Sequence, residues 1–199
     1  MRRLLPLLVL AAVLATAPLG RSAADAGPLV RVRVEGKAAT VFGAAQPRAR
    51  ATTALEALEV ASRAGEFYYH VQQTGFGPYV DQIGRYPAET ASGWVFKVNG
   101  ASPPVGADKV ELEDGDVVLW YWATFTAAGG SPTLELRSKA GCYRVFAQDD
   151  AGKQAPATSA VLRAGRQQYE ASYSGTCIGK HRGYVRAYAP GAVRSNALP

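Results

Sequence analysis

The 199-residue chain holds 22 Lys and Arg against 16 Asp and Glu, a net charge of +6, with two Cys and two His. The excess falls to about +4 once Arg2, Arg3, Arg21 and Asp25 of the leader described next are set aside, and it is spread thinly, which weighs against a nucleic-acid-binding stripe. His70 and His181 stand far apart with no flanking motif, so no nucleophile and base pair is encoded and the chain is not expected to be an enzyme.

Met1 to Ala26 opens with Arg2-Arg3, runs through the apolar stretch Leu4 to Ala17 and closes on Ala24-Asp25-Ala26. This is the pattern of a secretory signal peptide. The run carries Pro6 and is shorter than the roughly 20 apolar residues a bilayer crossing needs. No later stretch is long enough either, and no Cys follows the run to accept a lipid. A secreted or extracytoplasmic protein with no transmembrane segment after cleavage is expected.

In Leu29 to Glu35, Val30, Val32 and Val34 alternate with Arg31, Arg33 and Glu35, which predicts a strand with one buried and one wet face. A second short strand is expected over Ala39 to Phe42. Thr53 with Glu56 three residues on reads as a capping box, in which the hydroxyl accepts from an orphan amide and the carboxylate reaches back. The helix begun there carries Leu55, Leu58 and Ala61 or Ser62 on one stripe, Arg63 in its last turn and Gly65 as a left-handed stop. Glu66 to Val80 is too rich in Gly for a helix, and its aromatics, Phe67, Tyr68, Tyr69, Phe76 and Tyr79, belong to a strand and loop over the sheet. They close a small core or shape a ligand cleft.

Gly93 to Phe125 is the most informative stretch. Trp94, Phe96 and Val98 fall on one side of a period-2 strand, and Val95 and Lys97 on a partly wet side. Asn99-Gly100 can reverse the strand because both residues tolerate positive φ. Glu113-Asp114-Gly115-Asp116 makes a second turn before the strand Val117 to Trp122. There Val118, Trp120 and Trp122 share one face, while Val117, Leu119 and Tyr121 share the other. Both faces are apolar or aromatic, and an exposed apolar patch marks an interface. Leu119 and Tyr121 are therefore expected to be covered by the second domain, a partner, a ligand or a loop of their own domain. Glu111, Glu113, Asp114 and Asp116 lack the spacing of a calcium loop, so no metal is expected.

The pieces GWxFxVNG, PxVGA and LEDGDVVLWYW, in that order over about Val30 to Phe125, resemble the transcobalamin C-terminal-like domain of unknown function. The resemblance implies a small α+β, β-grasp-like fold with no catalytic residue. It also raises cobalamin as a ligand, held with a partner chain, since the large helical barrel of the B12 carriers is not encoded here. In that family the aromatic region approaches the bound molecule.

Residues 127–132, within TAAGGSP, read as a linker. Beyond it, Thr133 to Arg137, Gly141 to Gln148, Ala160 to Arg163, Gln168 to Tyr173 and Gly183 to Ala189 are strands at regular spacing, which predicts an all-β sandwich. This part resembles the Ig-like domains of bacterial surface proteins. Cys142 and Cys177 both lie in it, and an exported chain with one even pair is expected to join them as a disulfide. Gly175 to His181 imitates a phosphate loop but is one residue short between its glycines, with His181 where a hydroxyl belongs. The predicted organisation is thus a leader (1–26), a β-grasp-like domain (27–126), a linker (127–132) and an Ig-like β-sandwich (133–199).

The expected function is a secreted, non-enzymatic binding or surface-presentation module. Tyr68, Tyr69, Phe76, Tyr79, Leu119 and Tyr121 are its candidate ligand residues. Lys180-His181-Arg182 with Tyr184, Arg186 and Tyr188 comes closest to a basic aromatic stripe, and for a secreted chain an anionic cell-wall polymer is a more fitting counterpart than nucleic acid.

Overall fold

The computed structural model describes residues 27–75, 77–127 and 129–199. The expected leader and Phe76 lie outside the described residues. Among the described residues the fold is mostly β-sheet, with one helix.

Three valines place the first strand. Val30, Val32 and Val34 of β1 (Leu29–Glu35) are fully buried against the helix α1 (Ala54–Gly65). One edge of β1 is shared by two short antiparallel partners, β2 (Thr40–Phe42) and β3 (Arg48–Arg50). The other edge pairs in parallel with β8 (Val117–Thr124), which in turn pairs antiparallel with β7 (Ser92–Val98). The sheet order is therefore β2-β1-β8-β7, with α1 across one face. Between α1 and β7 the chain makes the three-stranded sheet β4 (Tyr69–Thr74), β5 (Gly77–Ile83) and β6 (Tyr86–Pro87).

Local chemistry fixes the ends of α1. Thr53 Oγ1 accepts from the Glu56 amide at 3.1 Å, as the capping box requires. The Glu56 carboxylate, however, reaches Thr52, accepting from its amide at 2.7 Å and its hydroxyl at 2.5 Å. The helix stop also shifts by one residue. Glu66, at φ 52, takes the left-handed position expected of Gly65. Gly65 is needed for room, because a Cβ there would stand 2.7 Å from the Phe42 ring and 3.0 Å from the Phe67 ring.

The second half begins after Thr126 and Gly129, whose backbones bond to each other in a tight turn. It contains β9 (Thr133–Lys139), β10 (Cys142–Gln148), β11 (Gln154–Pro156), β12 (Val161–Ala164), β13 (Gln167–Glu170), β14 (Thr176–Cys177) and β15 (Val185–Tyr188). β9 lies along one side of β10, and β11 and β14 share its other side. β13, β12 and β15 form a second sheet. Leu134, Leu136 and Val145 from the first sheet meet Leu162, Val185 and Ala187 from the second in one buried cluster. Cys142 and Cys177 face each other across β10 and β14 and are disulfide-bonded. The sequence reading missed β11 and β14, which are three and two residues long.

The back face of the first sheet, opposite α1, departs from expectation. Arg33 and Glu35 were expected on the wet face of a half-buried strand and Lys97 on a partly wet one, yet they are 3%, 0% and 0% exposed. The second half covers this face. Leu119, Tyr121 and Ala123 form a buried cluster there with Val193. Buried charges demand partners, and Glu35 and Lys97 are well supplied. Glu35 accepts from Arg186 at 2.5 Å, from Arg194 at 3.0 Å and from the Thr40 hydroxyl at 2.9 Å. Lys97 Nζ donates to the Asp149 carbonyl at 2.6 Å, and to the Gln148 carbonyl and the Thr133 hydroxyl at 3.2 Å each. Arg186, read as one member of a basic stripe, is spent on this interface.

Candidate binding groove

The sheet ends on β7, and a groove of about 350 Å³ opens along that edge. β5 contributes Tyr79, β7 contributes Phe96, and β8 contributes Trp120 and Tyr121. Pro103, Phe125 and, from the turn after β10, Asp150 complete it.

The apolar walls are firmly held. Phe96 stacks on Trp120 with ring centroids 5.0 Å apart, and the Trp120 indole donates to the Ala54 carbonyl on α1 at 3.0 Å. Trp94 sits edge-on to Trp122 and donates to the Tyr86 carbonyl at 2.9 Å. The Trp94 and Trp120 indoles cannot swing to suit a ligand, because their N–H groups are already engaged. Tyr79 and Phe125, 39% and 46% exposed, form the open rim. Gly93 makes space for Tyr79, whose hydroxyl would stand 2.8 Å from a Cβ at that position.

The polar end of the groove is built by both halves. Tyr121, Ser102 and Asp150 line this end together. Burial first, and then the Asp150 charge, push the Tyr121 ionisation well above the ordinary phenol range. Asp150 also accepts from the Gly130 amide at 3.1 Å and stands 3.8 Å from Lys97 Nζ. Burial lowers the Lys97 ammonium, and Asp150 and Asp149 oppose that shift. An apolar slot with a carboxylate and a phenol at one end can seat a flat apolar body and anchor one polar substituent.

Tyr79 and Tyr121, both expected as ligand residues, come together in this groove. Tyr68 is 60% exposed and outside it. Tyr69 packs against the core and donates to Glu59 at 2.9 Å, and burial followed by that bond pushes its phenol up to about 12. Leu119 lines a different cleft. Sequence reasoning missed Asp150 and Ser102. Asp149-Asp150-Ala151-Gly152 carries the signature of a turn and nothing more, so its place beside Tyr121 had no local signal. Among the described residues no three His, Cys, Asp or Glu side chains gather to hold a metal. Asp114 and Asp116 are used by turns: Asp114 accepts from the Leu29 amide at 2.6 Å, and Asp116 from Asn99 at 2.7 Å and from the Glu113 amide at 2.8 Å.

Residues 51–124 match a family described as a domain of unknown function, DUF4430. The match runs from the segment before α1 to the end of β8, so it takes in β5, β7 and β8 and leaves out β1 and the second half. No curated protein matches the chain. A crystal structure from Ruminococcus gnavus ATCC 29149, described as a "putative metal binding protein", is similar with 16% identity and a TM-score of 0.37. The similarity covers 49% of this chain and 97% of that one. No helix among the described residues is long and apolar enough to cross a membrane.

Proposed function

We propose that the protein is an exported, non-enzymatic binding module whose site is the groove beside β7. Its ligand is a small molecule with a flat apolar body and one hydrogen-bonding substituent. The observation that carries this reading is the meeting of fixed aromatic walls, from Phe96 and Trp120, with a polar end at Tyr121, Ser102 and Asp150. Export is supported by the leader pattern and by the Cys142–Cys177 disulfide. A β-grasp-like first half fits a parallel central pair, β1 and β8, flanked by antiparallel partners with one helix across them. An Ig-like second half fits two sheets sharing one core.

Corrinoid binding draws less support. A volume of about 350 Å³ lies at the small end of ligand pockets. A corrin ring would rest with one edge in it and would need a partner chain for the remainder. Titration with 1-naphthol and, separately, with hydroxocobalamin, followed by amide shifts, tests both. Saturable shifts at Phe96, Tyr121 and Phe125 with naphthol support the groove. Shifts scattered over the surface, or none, would sink it.

A further inference from the structure

A second cleft, of about 530 Å³, opens between the halves and shares no lining residue with the aromatic groove. Arg31, Arg33 and Leu119 line it from the first sheet, and Arg137 and Gln148 from the second half. Its charges do not balance. Arg137 is neutralised by a fork onto Glu135, with both contacts at 2.7 Å. Arg33 is 3% exposed and donates from Nη1 to the Arg194 carbonyl at 2.8 Å. Its nearest carboxylate, Glu35, is 3.6 Å away and already pairs with Arg186 and Arg194. Three guanidiniums thus share one carboxylate. The Arg33 Nε is sealed from water and has no partner among the described residues. A buried donor left unpaired is costly unless something supplies an acceptor.

Arg31, exposed in the cleft's lining, adds a second signal through its cross-strand neighbour. Arg31 on β1 stands directly opposite Arg48 on β3, and like charges so placed repel. Arg48 makes no hydrogen bond or ion pair among the described residues, and Arg31 reaches only the Gly115 carbonyl at 3.4 Å. A buried guanidinium with a free Nε, in one lining with the exposed Arg31 that Arg48 faces across the strands, is a ready arrangement for an oxyanion, because guanidinium matches carboxylate and phosphate geometry in a way ammonium does not.

We propose that this cleft binds a small oxyanion, a carboxylate or phosphate group, drawn in by Arg31 and Arg48 and held at the inner end by Arg33. The site stands apart from the aromatic groove and does not depend on it. Burial lowers the Arg33 guanidinium to about 10, so it remains charged at neutral pH.

The test titrates the purified protein with inorganic phosphate and, separately, with citrate, reading the Arg33 Nε–H resonance and the Gly100 and Leu119 amides. A saturable shift of that resonance is expected, with affinity falling about tenfold in Arg31→Gln and again in Arg48→Gln. Both positions are exposed, so the variants should melt as the parent does. Saturation by phosphate alone or by citrate alone names the group. 1-Naphthol titration of Arg31→Gln separates this site from the aromatic groove, whose response should not change. No Arg33 shift with either anion up to about 10 mM, or parental affinity in the Arg31→Gln and Arg48→Gln double variant, overturns the proposal.

Discussion

Arg186 Nη2 lies 2.5 Å from Glu35 Oε1, so a contact spanning 151 positions of sequence fastens β15 to β1. Both side chains are largely withdrawn from water, at 12% and 0% exposure. Removing Arg186 takes a partner from a carboxylate sealed from water and leaves it to Arg194 and the Thr40 hydroxyl. Arg186→Met should therefore cost about 3 kcal/mol in urea unfolding. Glu35→Gln should cost more than Arg186→Met, because it takes the shared carboxylate from Arg33, Arg186 and Arg194 at once, whereas Glu35 keeps Arg194 when Arg186 is removed. An Arg186→Met variant as stable as the parent would show that the two halves do not lean on this contact.

Lys97 gives the interface a pH dependence. Burial depresses its ammonium below the ordinary 10.5, so between the folded and unfolded values the unfolded chain binds the extra proton. The resulting contribution is fully present above 10.5 and is lost as pH falls through the lowered value. Urea midpoints measured at rising alkaline pH should climb more, or fall less, in the parent than in Lys97→Met. Parallel curves would refute the assignment.

Closing the 35-position separation between Cys142 and Cys177 removes unfolded-state freedom worth on the order of 3–4 kcal/mol in the chain-entropy model. Thiol titration of the denatured protein should find no free thiol. Cys142→Ser with Cys177→Ser should lower stability by about that amount. Two titratable thiols in freshly purified protein would contradict the pairing.

Gly100 is held at φ +89, and a Cβ there would stand 2.7 Å from Gln148 Nε2 in the second half. Gly100→Ala should cost about 2 kcal/mol from backbone strain and displacement of Gln148, lowering Tm by roughly 4 to 8 °C for a chain of this size. Asn99 also sits at positive φ, and its side chain accepts from the Val117 amide at 3.0 Å, so Asn99→Gly should be milder. An unchanged Tm in Gly100→Ala would mean the turn yields freely.

The core faces were legible because burial and periodicity agree on them. Val30, Val32 and Val34 alternate and are buried, Thr53 caps α1, and the Asn99-Gly100 turn lies where its chemistry puts it. The same alternation misled at Arg33, Glu35 and Lys97. A polar residue at period 2 implies water only when nothing else covers that face, and the cover arrives from β9, β15 and the chain after it. The aromatic stretch was half legible: it flagged Tyr79, while Asp150 reaches the groove through contacts between the halves that no local pattern encodes. The two-residue β14 carries too few side chains to show any period.

The parallel pairing of β1 with β8 bears on how the chain is made. The central seam of the first sheet cannot close until Val117 and its neighbours exist, and the partners of Glu35 come later still, at Arg186 and Arg194. Such distant pairings slow folding because closure entropy must be met before any contact is gained. During synthesis the early strands therefore wait with a charged face uncovered, and the last dozen or so residues decide when that wait ends. Loss of that short C-terminal segment should injure the opposite end of the molecule as much as its own.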